Sequence, residues 1–196
     1  MKRNISIAIA VLAALVPQVA YAHTGVGNAS GFVHGFVHPI GGLDHVLAMV
    51  TVGLFAAHLG GRALWLVPAS FVTMMAAGGA LGFYGVNLPF IEVGIALSVV
   101  VLGAVVALQA NLPLAAAMSL VGLFAVFHGH AHGAEMPMEV SAAGYGAGFL
   151  IATALLHATG IGIGLSLGKL AYGPARRVSQ LAGAAIAITG LSLLVA

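Results

Sequence analysis

Six long apolar stretches, at 38–59, 63–84, 89–109, 112–130, 143–168 and 178–196, leave little polar sequence between them. The breaks are Gly60-Gly61-Arg62, Gly85 to Pro89, Gln109-Ala110-Asn111, His132 to Ser141, and Lys169 to Arg177. About 20 residues of helix cross the hydrocarbon of a bilayer, where no backbone N–H or C=O can go unpaired. Charge supports the same solvent: Asp, Glu, Lys and Arg make up 5% of the chain, against about 25% in a soluble domain. Apolar periodicity carries no information when every face is apolar. The expected fold is therefore all-α and polytopic, a compact bundle of six transmembrane helices forming one domain over residues 23–196.

Residues 1–22 read as a cleaved signal peptide. Lys2 and Arg3 precede the apolar core Ile5 to Val16, and Ala20-Tyr21-Ala22 offers a small-x-small cleavage site. The core is too short to span, and Pro17 follows it. Cleavage would leave four basic and four acidic groups, so the basic balance of the whole chain implies no nucleic-acid partner. It would also make His23 the first residue, where its amine and ring together are able to chelate a metal. Within the spans, small residues recur every fourth position, at Gly160, Gly164 and Gly168, at Gly144 and Gly148, and at Gly78 and Gly82. Such ridges let helix backbones approach closely.

A cleaved signal makes the mature N-terminus external. Six crossings then put Arg62, Lys169, Arg176 and Arg177 inside, with no Lys or Arg outside, as the positive-inside rule requires. The expected location is a bacterial inner membrane, with both mature termini extracytoplasmic. The same topology gathers the polar residues on the outer side in two knots. One runs from His38 through Asp44 to His45, and the other comprises His128, His130, His132 and Glu135. Glu92 falls near the outer end of the third span, and His157 lies near the midplane of the fifth.

If helical, His38 and His45 lie two turns apart on one face, with His34 one turn before His38. His128 and His132 are an i,i+4 pair, and Glu135 follows three residues after His132. His130 points elsewhere unless Gly129 and Gly133, poor helix formers, unwind the backbone. Ionisable groups in a bilayer cost roughly 2.5–3.5 kcal/mol each, so Glu92 and His157 read equally well as hydrogen-bonded structure or as pore and metal groups. The two knots are too dense for that bland account. With no cysteine in the chain, imidazole and carboxylate suit a borderline divalent ion, Ni²⁺, Co²⁺, Zn²⁺ or Cu²⁺, among which softness does not choose.

The patterns His-x5-Asp-His, as His38…Asp44-His45, and Phe-His-Gly-x-Ala-His-Gly-x-Glu, as Phe127 to Glu135, resemble the HupE/UreJ family of nickel, sometimes cobalt, permeases. The resemblance covers the mature chain. It implies secondary, ATP-independent uptake of Ni²⁺, with the metal as substrate and no resident cofactor. It also implies that transport needs His38, Asp44, His45, His128, His132 and Glu135, whereas His130 occupies a variable position of the motif. The alternatives are a membrane metalloenzyme or an external metal-binding protein using the same cluster. Neither a Ser-His or Glu-x-x-His pair nor a cofactor fingerprint appears, and no Walker motif is present. Catalysis and ATP-driven pumping by this chain are accordingly not expected. Nothing in the pattern sets the oligomeric state.

Overall fold

The computed structural model describes residues 30–169 and 174–195, and every regular element among them is an α-helix. In chain order these are α1 (Ser30–Gly41), α2 (Leu43–Leu59), α3 (Ala63–Phe83), α4 (Ile91–Ala107), α5 (Leu114–Ala134), α6 (Ala142–Lys169) and α7 (Pro174–Leu194). The signal peptide and His23 lie outside the described residues. Helices α3, α5, α6 and α7 are long and apolar enough to cross a membrane. The pair α1 and α2 meets the same test together but is bent by 83°. Helix α4 is apolar but only 17 residues long, ~25 Å at 1.5 Å per residue. The set is compatible with a multi-pass membrane protein.

The structure decides the backbone of both knots, which the residues left open. The first apolar stretch is not one helix starting at His38. Gly42 is extended (φ −96°, ψ 121°), which separates α1 from α2 after Pro39, Gly41 and Gly42, all poor helix residues. His38 and His45 therefore do not share a helix face. The fourth stretch, in contrast, runs on as helix to Ala134, so the second knot does not unwind.

Gly129 and Gly133 explain that continuity, because they serve packing. A Cβ on Gly129 would collide with the backbone carbonyl of Met75, and one on Gly133 with that of Gly79, both on α3. Gly78 and Gly82 of α3 meet the carbonyls of Val126 and His130 in the same way. The ridge on α6 does likewise, with Gly148 against Phe32 of α1 and Gly160 against Val50 of α2; Gly168 touches nothing. On α4 and α7, Gly103 and Gly183 face each other's helix backbones. In lipid, where apolar burial gives no advantage to helix pairing, such contact is a main source of association.

The outside is apolar where that of a soluble protein is polar. Trp65, Leu123, Leu155, Leu181 and Ile188 lie exposed on the outside. Inside, a core of Met49, Val52, Phe55, Val67, Phe71, Met75, Leu102, Val106 and Val121 is joined by His45, His128, His130, His132 and His157. Gly133→Val should force α5 off α3 and lower stability by about 1–3 kcal/mol. Gly162→Ala, where a Cβ meets nothing within 4 Å, should be neutral or stabilising. Thermal unfolding of the two variants in detergent checks both outcomes.

Candidate metal-binding site

His128 and His132 lie one turn apart on α5, both buried. Opposite them, the bend at Gly42 delivers His38 from α1 and His45 from the first turn of α2. The His132 ring centroid lies 4.7 Å from that of His38 and 4.2 Å from that of His45. His45 in turn lies 4.8 Å from His128. The two knots thus join into one file of rings, His38, His132, His45, His128. Phe149 of α6 packs against His132 at 4.2 Å, and Tyr145 flanks His38 at 6.1 Å. A cavity of about 280 Å³ between α3, α5 and α6 reaches His132 and Tyr145.

Carboxylates hold each end of the first knot. Asp44 Oδ1 accepts from both the backbone N–H and Nδ1 of His45, each at 2.8 Å. A carboxylate only accepts, so the His45 proton sits on Nδ1 and leaves Nε2 bare. That Nε2 is buried without a partner. Glu135, the residue that ends α5, places Oε2 3.6 Å from His38 Nε2. One donor atom from each of His38, His132 and Glu135 lies within 4.8 Å of the others. Donors bound at ~2.1 Å to a shared ion are at most ~4.2 Å apart, so modest side-chain rotation brings this trio onto one cation.

The remaining residues fall into distinct places. His157 is buried on α6 with both ring nitrogens unpartnered. Its ring lies 5.0 Å from that of Phe71, nearly perpendicular to it, and Phe71 also lies 5.9 Å from His128. His157 and His128 thus share Phe71 as a neighbour. Glu92, exposed in the first turn of α4, shares a cleft of about 180 Å³ with Asp44, bounded by Leu193 and Leu194. His34 is exposed on α1, apart from the His38–His132–Glu135 trio. His130 lies on another face of α5, where Nε2 donates to the Val86 carbonyl at 2.6 Å. The structure thus gives His130 a tether to the α3–α4 loop rather than a place in the file.

Residue patterns alone pointed to none of Phe71, Ser98, Tyr145 or Phe149. An aromatic ring or hydroxyl in an apolar helix carries no spacing signal, and these four matter only through what they face.

A family model described as HupE / UreJ protein matches residues 10–193. The chain belongs to the HupE/UreJ family. This family is of transporter type rather than enzymatic. The chain is also similar to Protein HupE of Rhizobium leguminosarum bv. viciae, 50% identical over 186 residues that span 94% of this chain and 95% of that protein. No solved structure matches.

His130→Gln should weaken the loop tether and lower stability by roughly 1 kcal/mol, while leaving any binding of an added divalent-metal probe such as Ni²⁺ as in the wild type. Paired thermal melts and metal titrations separate the two effects. A loss of affinity beyond about tenfold would return His130 to the metal file.

Proposed function

We propose that this HupE/UreJ chain is a secondary, ATP-independent permease for Ni²⁺, with Co²⁺ as the alternative substrate, in a bacterial inner membrane. One observation carries the reading. A file of imidazoles whose buried nitrogens lack hydrogen-bond partners, among them His45 Nε2, His128 Nδ1 and the rings of His132 and His157, lies inside a bundle whose outside is apolar. An unpartnered buried polar group costs roughly 1–3 kcal/mol, and a passing cation that accepts lone pairs relieves that cost. Bare imidazole nitrogens suit Ni²⁺ or Co²⁺ better than the hard ions Mg²⁺ and Ca²⁺.

In this reading α2 to α7 make six crossings, and α1 lies across the outer mouth. The α2–α3 and α6–α7 connections, with Arg62, Lys169, Arg176 and Arg177, are then cytoplasmic. The amino end of α2, the carboxyl end of α5 and Glu92 are then external, and signal cleavage after Ala22 leaves both termini there. Asp44 and Glu135 offset the cation's charge at the mouth. His38 and His132 with Glu135 make the first stop, His45 and His128 the next, and His157 the stop beyond Phe71. Binding must be firm enough to strip water yet weak enough to release. Spreading the donors along a file achieves this, because the ion holds only a few of them at any one point. No step requires a bond to be made or broken in a second substrate, so the reading needs no enzyme activity.

Uptake of radiolabelled Ni²⁺ and Co²⁺ into liposomes or transport-deficient cells tests the proposal. His38→Ala and His132→Ala should each insert normally and lose uptake by more than about tenfold, at least the effect of disturbing a ligand's supporting shell. Wild-type uptake in both variants overturns the site. Tightly held stoichiometric metal with no flux would instead indicate a metalloenzyme or a binding protein.

Imidazole ligates only when neutral, so protons compete with the metal. Uptake should accordingly fall as external pH drops to the acidic side of the ordinary imidazole value of about 6.5. A profile flat from pH 7.5 to about 4.5 would exclude imidazole as the principal donor.

A further inference from the structure

We propose that Ser98 is the positioning residue that sets the proton of His128 on Nε2, so that Nδ1 is the nitrogen offered to the cation. This rests on the permease reading for its purpose but not for its geometry. Ser98 lies on α4, fully buried, and makes two contacts with a single hydroxyl proton. Its Oγ is 2.6 Å from the carbonyl of Ile95 in its own helix and 2.8 Å from His128 Nε2 on α5.

The assignment follows from counting protons. The Ile95 carbonyl can only accept, so at 2.6 Å the Ser98 O–H donates to it. The hydroxyl then has only lone pairs left for the imidazole. His128 Nε2 must therefore carry the hydrogen and donate to Ser98 Oγ. A neutral ring has one N–H, which leaves Nδ1 bare, and that atom is buried with no partner. A serine bonding back to its own helix carbonyl is common and by itself signifies nothing. Here the same back-bond turns the hydroxyl into an acceptor facing a neighbouring helix, and the acceptor selects the imidazole tautomer.

Asp44 does the same for His45 with the nitrogens reversed, accepting from Nδ1–H and leaving Nε2 free. The adjacent rings, 4.8 Å apart and nearly perpendicular (89°), thus present opposite nitrogens. Fixing the proton of a ligating imidazole through its other nitrogen is how supporting residues tune metal sites, and their loss costs about 10–100-fold in affinity. Gly94, one residue before Ile95, lets α4 lie close to α5: a Cβ there would strike the Phe127 ring, 2.5 Å away. The residue preceding His128 in the motif thereby helps seat the helix that carries Ser98.

Histidine-selective ¹⁵N NMR on the full chain in nanodiscs tests this directly, with the His128 signals identified by their loss in His128→Asn. The metal-free wild type should show His128 protonated at Nε2 and bare at Nδ1. Ser98→Ala should shift the ring toward the other tautomer or to a mixture, and weaken Ni²⁺ binding in calorimetry by about 10–100-fold. Ser98→Thr, which keeps the hydroxyl, should restore both readings. A wild-type His128 protonated at Nδ1 overturns the assignment, as does an unchanged tautomer in Ser98→Ala. Wild-type Ni²⁺ affinity in Ser98→Ala overturns its role toward the metal. Because neither readout involves flux, failure of wild-type liposomes to transport Ni²⁺ would remove the permease reading without touching the proton assignment.

Discussion

Backbone-to-backbone contact between helices is the constraint on which the rest of the structure depends. A chain surrounded by hydrocarbon gains little by burying one leucine against another, so helices hold together where small residues admit close approach. Gly129 and Gly133 press α5 onto α3, and Gly53 and Gly160 press α2 and α6 together. These seams fix α5 on α3 and α2 on α6, the frame within which His45 and His132 meet. The glycines and histidines of the second knot alternate because α5 must satisfy a packing face and a chemical face over the same two turns. The Gly129/Gly133 face meets α3, while the His128/His132 face meets the imidazoles of the first knot.

The interior this produces is unusual in what it leaves bare. Proteins rarely keep buried nitrogen atoms without hydrogen-bond partners, yet His132 and His157 each keep two. The hydrogen bonds that do reach the file come from its margins, Asp44 on His45 and Ser98 on His128. Both engage one ring nitrogen and leave the other free. An arrangement evolved only for packing would gain by replacing these rings with leucine or phenylalanine. The cation-binding role proposed above supplies a reason for rings in these places.

Much of this was legible in the residues. Every apolar stretch but the first became a single helix, the first being broken at Gly42, and the two polar knots did meet. Pairing His128 with His132 followed from simple helical geometry, and it held. The local conformation of the knots did not follow. Gly41-Gly42 and Gly129/Gly133 are the same residue type in similar polar surroundings, yet the first pair sits at a break and the second stays within a helix. Low propensity permits either outcome, and only the presence of α3 against the second pair decides. His130 was similarly opaque: its tether is the carbonyl of Val86, 44 positions away, and a backbone acceptor leaves no mark in the sequence. Ser98 and Phe71 belong to the same class, legible only once α3 and α4 are set beside α5.

The elbow at Gly42 divides the donors between two bodies. His38 rides on α1, whose seat is α6 through Gly35 against Tyr145 and Gly148 against Phe32, whereas His45 is rooted in α2. The His38 imidazole is thereby carried on a different helix from that of His45, although only seven residues away in sequence. In the permease proposed above, capture at the surface and passage through the interior would therefore drift independently in evolution. Alterations to the α1 seat would retune how readily an ion is picked up from dilute surroundings, without rebuilding the conduit beneath.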